Sequence, residues 1–274
     1  IEDVLKDANT DNVIHVEYMD TKTIRSSIYL EKLYELYKYK FNSYRFDAII
    51  ASDNNAYTFL KKYHNNLFPN TPIVVCGLNE YDDFLTKNNG TFTGIAETIA
   101  AKDTIDTALE IHPNTKNIYV LADNSVTGNI LKDTITDFVD TYDNEISFHF
   151  IQNDYLKYVV QKVQDIPENS IVFHALPVYK GSFAEPIEKE LGNKMISQAT
   201  KVPIYSCWES EVGDGFVGGK VISGYNHGKR AANIAMKILN GADVKNIGFQ
   251  EKSNSEYYFD YNVLKKYDIK LETL

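Results

Sequence analysis

The chain has very few cysteines. Its 274 residues include only Cys76 and Cys207, which are far apart and lack C-x-x-C spacing. A cysteine-based structural metal site is therefore not expected. We predict two buried free thiols at strand ends, with one disulfide as the alternative for an extracellular protein.

Positive charge and long apolar runs are also scarce. The 28 basic and 38 acidic residues leave a net charge of −10 and a pI near 5.1. This balance argues against nucleic acid and anionic lipid as partners, since both need a basic surface. No run reaches the roughly 20 apolar residues of a membrane span, and no signal-peptide pattern opens the chain. Hydrophobic residues still make up 43% of the chain, enough for a sizeable core.

Motifs of catalysis are missing as well. The sequence contains neither G-x-S-x-G nor H-E-x-x-H, and its six histidines are scattered without ligand spacing. His15 and His174 lie in apolar runs and are expected in the core or at its rim. Glu209, Glu211 and Asp214 cluster, but acidic loop residues are usually solvated. No nucleophile–base pair, metal or cofactor is predicted from spacing.

What the sequence does contain is an alternation of apolar strand-length runs with helical segments. Strands are expected at 13–18, 46–51, 72–76, 117–122, 146–151, 171–175 and 203–206. Helices are expected at 26–41, 54–63, 81–85, 102–111, 127–141, 155–164, 183–199 and 228–239. Alternating strands and helices imply parallel sheets covered on both faces, and the number of units favours two Rossmann-like α/β lobes. A break is expected at the polar stretch 88–91.

One glycine-rich stretch, "GDGFVGG" at 213–219, matches the dinucleotide fingerprint G-x-G-x-x-G. That fingerprint requires a strand directly before it and a helix opening within it. Here six residues separate it from the strand at 203–206, and the next helix is expected only near Gly228. We interpret the glycines as allowing a tight bend and close backbone packing.

Ligands of open α/β sheets bind beyond the carboxyl ends of the strands, so the loops at those ends hold the candidate site residues. These loops contain Asp53 and Asn54, then Cys76, Gly77 and Asn79, then Asn124 and Ser125, then Leu176, and finally Trp208. For a single Asp or Asn, helix capping is the simpler role. For Trp208, the only tryptophan, core packing and ligand contact are equally consistent with the sequence.

The loops form an ordered set of motifs: "EYMDTKT" (17–23), "FDAIIASDNNAYTFL" (46–60), "TPIVVCGLN" (71–79), "FTGIAET" (92–98), "IHPNTKNIYVLADNSVTG" (111–128), "VPIYSCWESEVGDGFVGG" (202–219), "GYNHGKRAANIAMKILNG" (224–241) and "YFDYNVLKKYDI" (258–269). In order and spacing the chain resembles the ABC-transporter substrate-binding-protein-like family, of type I periplasmic-binding-protein fold. The resemblance spans nearly the whole chain. It is strongest to the branch used as extracellular sensor domains of bacterial histidine kinases and diguanylate cyclases.

The resemblance implies two lobes, three crossing segments and a small solute in the cleft. Lobe 1 is expected at 1–93 plus about 222–246, and lobe 2 at 94–221 plus about 247–274. The family usually begins with a strand, whereas Ile1–Leu5 reads as the end of a helix, so the first strand is expected to be missing. The positions that face the cleft in the family correspond to Asp53, Asn54, Cys76, Gly77, Asn79, Glu97, Asn124, Ser125, Leu176, Trp208 and Tyr225.

The function this implies is an extracellular or periplasmic sensor domain that closes around a small solute and signals to a membrane-linked kinase or cyclase. One alternative is the substrate-binding protein of an ABC transporter. A second is a nucleotide-binding or hydrolytic α/β enzyme. The membrane is expected as a partner only through a tether outside this chain, and a homodimer is left open. Trp208 and Tyr225 favour a ligand with one flat or apolar part and one polar end.

Overall fold

The structure, a computed structural model, describes residues 1–7, 12–24, 26–79, 81–87, 90–142, 145–252 and 255–273. The chain divides into two compact units. Unit 1 is Ile1–Thr98 with Gly224–Asn254, and unit 2 is Ile99–Ser223 with Ser255–Leu274. Within the described residues, no helix is long and apolar enough to span a membrane.

Helices and strands alternate along the chain, as the sequence predicts. The helices are α1 (Glu2–Asp7), α2 (Ser27–Lys40), α3 (Asn54–Leu67), α4 (Asp83–Thr86), α5 (Ala101–Ile111), α6 (Val126–Val139), α7 (Leu156–Gln164), α8 (Lys189–Ala199), α9 (Gly224–Leu239), α10 (Val244–Ile247) and α11 (Tyr261–Lys266). The strands are β1 (Ile49–Ser52), β2 (Ile73–Leu78), β3 (Phe92–Ala96), β4 (Asn117–Ala122), β5 (Ser147–Gln152), β6 (Ser170–His174), β7 (Ile204–Ser206), β8 (Gly218–Ile222), β9 (Phe249–Gln250) and β10 (Ser255–Phe259). Short 3-10 turns follow at Glu209–Glu211 and Leu271–Thr273.

The sheet of unit 1 has the strand order β1-β2-β3-β9, and every pair is parallel. Alternate side chains of β2 point to opposite faces. Ile73 and Val75 pack with residues of α2 and α3, while Val74 packs with Ala231 and Ile234 of α9. Because both faces are covered, β2 is an apolar run of the kind typical of parallel sheets.

The sheet of unit 2 has the order β10-β8-β7-β6-β4-β5 and is parallel except for the antiparallel pair β10–β8. Its strands also alternate between two cores. Val120 and Phe173 belong to one core, and Leu121 and Val172 belong to the other. The α/β fold class with parallel sheets in two sets, predicted from the sequence, is thus confirmed.

Two predicted elements are wrong. Residues 12–20 form no strand, and Val13 and Tyr18 are each 81% exposed. No strand of the described residues pairs with this segment, and extended backbone needs a hydrogen-bonded neighbour to form a sheet. The helix predicted from residue 183 begins only at Lys189, because residues 181–185 form a turn in which the Gly181 N–H donates to the Glu185 carbonyl and the Ala184 N–H donates to the Gly181 carbonyl.

The boundaries of the two units also differ from the expected lobes. Unit 1 continues past residue 93 to Thr98, since β3 pairs with β2 inside its sheet. It also keeps the residues after 246, because Phe249 of β9 pairs with Gly94 of β3. Residues 88 and 89 of the predicted break lie outside the described residues.

Gly218 and Gly219 of "GDGFVGG" allow close backbone packing. Strand β8 begins at Gly218, and no helix begins before Gly224. A Cβ atom on Gly218 would lie 2.0 Å from the carbonyl oxygen of Tyr258, and one on Gly219 would lie 2.4 Å from Cγ2 of Thr104. Only glycine fits so close to these neighbouring segments of the same chain. No helix N-terminus is present at residues 213–219 to hold a pyrophosphate.

Candidate functional site

In unit 1, the loop after β1 begins at Asp53, which has an unusual backbone conformation. Its φ is +82°, a region that side chains other than glycine rarely adopt. Its N–H donates to the carbonyl of Cys76 at 2.9 Å, and its Oδ1 accepts from the Asn54 N–H at 2.7 Å. Lys22 lies 3.0 Å from Oδ2. Asp53 therefore caps α3, and its strained backbone is of the kind found at ligand sites.

The three strand ends of unit 1 are joined by a chain of amide and carboxylate groups. Asn54 Nδ2 donates to Asn79 Oδ1 at 3.4 Å, and Asn79 Nδ2 donates to Glu97 Oε2 at 2.8 Å. The Glu97 N–H donates to the carbonyl of Leu78 at 2.7 Å, which fixes Glu97 directly after β3. The structure thus brings together Asp53, Asn54, Asn79 and Glu97 at one edge of one sheet.

The carboxyl group of Glu97 has a shifted pKa. Burial raises the pKa of its carboxyl, and the nearby charge of Asp53 raises it further. The hydrogen bond from Asn79 and the charge of Lys22 act in the opposite direction. The charged form of such a buried carboxyl group is stabilised most by a new partner that carries positive charge or donates hydrogen bonds.

Two further predicted residues, Cys76 and Gly77, lie beside this group on β2. Burial raises the pKa of the Cys76 thiol to about 11, so the thiol is protonated and unreactive at neutral pH. Gly77 has a φ of +66°, and its N–H donates to Nε2 of His227 at 2.9 Å. The sequence did not identify His227, although it is two residues from the predicted Tyr225.

His227 acts as a neutral acceptor. Burial lowers its pKa, and the charge of Arg230 lowers it further. Tyr225 lies two residues earlier in α9, about half a turn away, and is 60% exposed. We find no hydrogen bond that links its hydroxyl to the other predicted residues described in unit 1.

In unit 2, the two predicted residues after β4 have structural roles. Ser125 caps α6, since its Oγ accepts from the Gly128 N–H at 3.0 Å and donates to Oδ1 of buried Asp123 at 2.5 Å. Asn124 binds Oδ1 of Asp154 through both its N–H and its Nδ2, at 2.8 and 3.1 Å. Asn124 remains exposed, whereas Ser125 is buried.

The loops after β6 and β7 contain Leu176 and Trp208. Leu176 has a φ of +47° and is partly exposed, so it resembles Asp53 in its backbone strain. Trp208 is only 6% exposed and packs in the core. Its indole Nε1 is buried and has no hydrogen-bond partner among the described residues. Cys207 beside it is a second buried free thiol, as predicted for both cysteines.

Next to Trp208 lies a buried polar network that was not predicted from the sequence. Glu211 is fully buried, not solvated as expected, and its Oε2 accepts from Ser206 Oγ at 2.5 Å. His174 Nδ1 lies 2.9 Å from Glu211 Oε1, an ion-pair distance at an angle unsuited to a hydrogen bond. Tyr179 Oη is 3.4 Å from His174 Nε2. Ser206 Oγ also accepts from the Trp208 N–H at 3.2 Å, so the network holds the backbone that carries Trp208.

This network is not arranged for nucleophilic catalysis. Ser206 donates to a carboxylate, whereas an activated serine donates to a histidine that acts as base. In the part of the chain that the structure describes, no group of three or more His, Cys, Asp or Glu residues is placed to hold a metal ion.

The sequence profile of the family described as ABC transporter substrate binding protein matches residues 1–273. The chain belongs to this family. Its members are substrate-binding proteins of the ABC-transporter type, that is, ligand-binding proteins. No curated protein matches the chain.

Solved structures share the fold of this substrate-binding protein. The ABC domain of Streptococcus pneumoniae in complex with L-Trp aligns with a TM-score of 0.62 and 14% identity, over 88% of this chain and 82% of that one. A conserved domain protein from Vibrio cholerae gives 0.65 and 16%, over 88% and 79%. A Bacillus halodurans ABC transporter solute-binding protein with bound myo-inositol gives 0.55 and 13%, over 90% and 85%. The predicted branch of kinase and cyclase sensors is not among these findings.

Proposed function

We propose that this chain is the receptor of an ABC importer and binds a small solute at the carboxyl ends of its strands. The observation that carries the proposal is the hydrogen-bonded group of Asp53, Asn54, Asn79 and Glu97, which comes from three neighbouring strand ends of unit 1. Side chains that converge in this way at the ends of parallel strands are typical of ligand sites in α/β proteins.

The chemistry of this group favours a particular class of solute. Two carboxylates and two amides offer mostly acceptors, and the pKa of Glu97 is raised by burial. An ammonium group or several hydroxyl groups on the solute would donate hydrogen bonds to these carboxylate and amide oxygens. We propose that the polar end of the solute carries such donors and contacts Glu97 and Asp53.

The bound molecules of two structural neighbours are compatible with this chemistry. L-Trp combines an ammonium group with a flat apolar ring, and myo-inositol presents hydroxyl groups. The expectation that Leu176 and Trp208 of unit 2 contact the ligand stays a prediction, and Trp208 packs in the core with its indole Nε1 buried. Tyr225 of unit 1, which is exposed, is proposed as a further contact, and the role of Asn124 stays a prediction.

The proposal is tested by a thermal-shift screen of the purified chain. The panel contains aromatic amino acids, the same compounds without the amino group, cyclitols and monosaccharides. A solute at about 100 times its dissociation constant adds roughly 2.7 kcal/mol to the free energy of unfolding. We expect stabilisation by compounds that carry an ammonium group or several hydroxyls, and none by the deaminated analogues.

A variant pair makes this test specific. Glu97→Gln removes the charge but keeps the shape, and we expect it to weaken binding of a cationic solute at least tenfold, or about 1.4 kcal/mol. Glu110→Gln, at an exposed position of α5, is the matched control and should bind like the wild type. Equal affinity of all three proteins would contradict the role of Glu97. Tightly retained nucleotide or saturable hydrolysis would instead support the enzyme hypothesis.

A gene deletion in the producing cell distinguishes a role in transport from a role in signalling. We propose that the chain works outside the membrane, in the periplasm or at the cell surface. Deletion of the gene should then abolish uptake of the radiolabelled solute found in the screen. Unchanged uptake together with a lost transcriptional response to the solute would support the sensor hypothesis instead.

A further inference from the structure

Helix α2 in unit 1 is apolar on two faces, but only one of them is covered. Leu33 and Tyr37 are buried against the core of unit 1. On the other face, Ile28 is 65% exposed, Leu36 54% and Tyr39 87%. Large apolar side chains that repeat along one exposed helix face are typical of a face that meets a partner.

The residues of this face are arranged symmetrically along the helix. Ile28 and Tyr39 lie at equal distances in sequence from the midpoint between residues 33 and 34, and so do Lys32 and Glu35. At 100° per residue, these four positions fall within one sector of the helix surface. We refer to Ile28, Lys32, Glu35 and Tyr39 as the α2 face.

This symmetry fits a second copy of the same helix. When two identical helices pack antiparallel across a twofold axis, residue i of one copy meets residue j of the other, and j meets i. With the axis at the midpoint of the α2 face, Ile28 packs against Tyr39 of the second copy, and Lys32 meets Glu35. Both charges are exposed, and neither takes part in an ion pair with the described residues of its own chain.

A neighbouring segment supplies further exposed apolar residues. Glu17 forms an ion pair with Lys40 at the end of α2, and the ring of His15 packs edge-on against Tyr44 at 5.3 Å. These contacts hold the segment 12–20 near the C-terminal end of α2, and in this segment Val16 is 51% exposed and Tyr18 81%. A helix of 14 residues is about 21 Å long, so this flank helps to supply the roughly 1,200 Å² that a stable interface needs.

We propose that the α2 face, with Val16 and Tyr18 at its edge, is the interface of a homodimer in which the two α2 helices pack antiparallel. The proposal does not depend on the identity of the solute. It predicts a dimer in the absence of any ligand.

Charge reversal tests the geometry. Lys32→Glu places Glu opposite Glu35 twice in each dimer, and Glu35→Lys places Lys opposite Lys32 twice. Each variant should weaken dimerisation about tenfold or more, measured by sedimentation velocity over a concentration series. An equimolar mixture of the two variants should form a heterodimer, because each copy then supplies the charge that the other lacks. The double variant K32E/E35K should dimerise like the wild type.

The controls separate this pairing from a general effect of surface charge and from misfolding. Glu110→Lys, at an exposed position of unit 2, should leave dimerisation unchanged, and circular dichroism checks that every variant folds. Tyr39→Lys should abolish the dimer because it places a charge in the apolar contact. A wild-type chain that stays monomeric, or single reversals that dimerise like the wild type, would overturn the proposal. Failure of the mixture to form a heterodimer would exclude the antiparallel pairing.

Discussion

At the scale of single residues, the fully buried carboxylate of Glu211 is the costliest group to disturb. It accepts from Ser206 and lies at ion-pair distance from His174, and all three side chains are buried. Removal of one member leaves the others without a partner in a medium where unpaired polar groups are expensive.

We therefore expect Glu211→Ala to lower the free energy of unfolding by about 3–5 kcal/mol. The control lies two residues away, since Glu209 is exposed and Glu209→Ala should change stability by less than about 0.5 kcal/mol. Chemical denaturation of both variants provides the measurement. Similar, small losses would show that the network adds little to stability.

The free energy of unfolding should depend on pH through His227, and the lowered pKa of His227 sets the sign of this dependence. This pKa is lowered below 6.5 in the folded chain because His227 is buried and lies near the charge of Arg230. Above pH 6.5 it is neutral in both states, so its contribution to stability is complete. As the pH falls further, the unfolded state takes up the proton first, and stability is lost down through the folded pKa.

His227→Gln keeps an acceptor but does not titrate, so it should flatten this dependence. We expect the wild type to lose more unfolding free energy than the variant between about pH 7.5 and about pH 5.5. The pKa of His112 is also lowered by burial, and its effect is common to both proteins. Identical pH profiles would mean that His227 does not titrate as its burial implies.

At the scale of elements, the parallel pair β2–β3 depends on one glycine. Gly94 has a φ of +146°, and a Cβ atom there would lie 2.0 Å from the carbonyl oxygen of Val75. Gly94→Ala should therefore cost several kcal/mol, roughly 3 or more, because backbone on both sides has to move. The control is Gly241→Ala, since Gly241 has a φ of +91° and open space around it. This substitution should lower the free energy of unfolding by only about 1 kcal/mol, the cost of positive φ alone. Equal losses in thermal unfolding would contradict a steric role for Gly94.

Elements with strong patterns could be predicted from the sequence, and elements set by distant contacts could not. The runs at 117–122 and 73–76 are apolar on both faces, which indicates buried parallel strands. The run at 13–18 is also of strand length and partly apolar, but it pairs with no strand of the described residues, and a local pattern cannot reveal that. Strand β3 was not predicted, and its partners β2 and β9 lie at very different distances along the chain.

The candidate site was predictable to a similar degree. Asp53 and Asn79 could be predicted to lie together, because the ends of neighbouring parallel strands meet at one edge, whereas Glu97 was expected at the site only from the family resemblance. The role of His227 could not, since its contact with Gly77 spans 150 residues. Ser125 has the simpler role of helix capping, and Trp208 packs in the core.

At the scale of the whole molecule, two α/β units with parallel sheets and a match to the substrate-binding family over residues 1–273 make solute binding the central claim. Neither unit is continuous in sequence, because the chain passes between them after Thr98, Ser223 and Asn254. The most direct test is isothermal titration of the purified chain with the solute that stabilises it most in the screen. We predict saturable heat with one solute bound per chain, and affinity that falls in Glu97→Gln. If no compound of the panel produces a thermal shift or saturable heat, the claim that this chain is a small-solute receptor is contradicted.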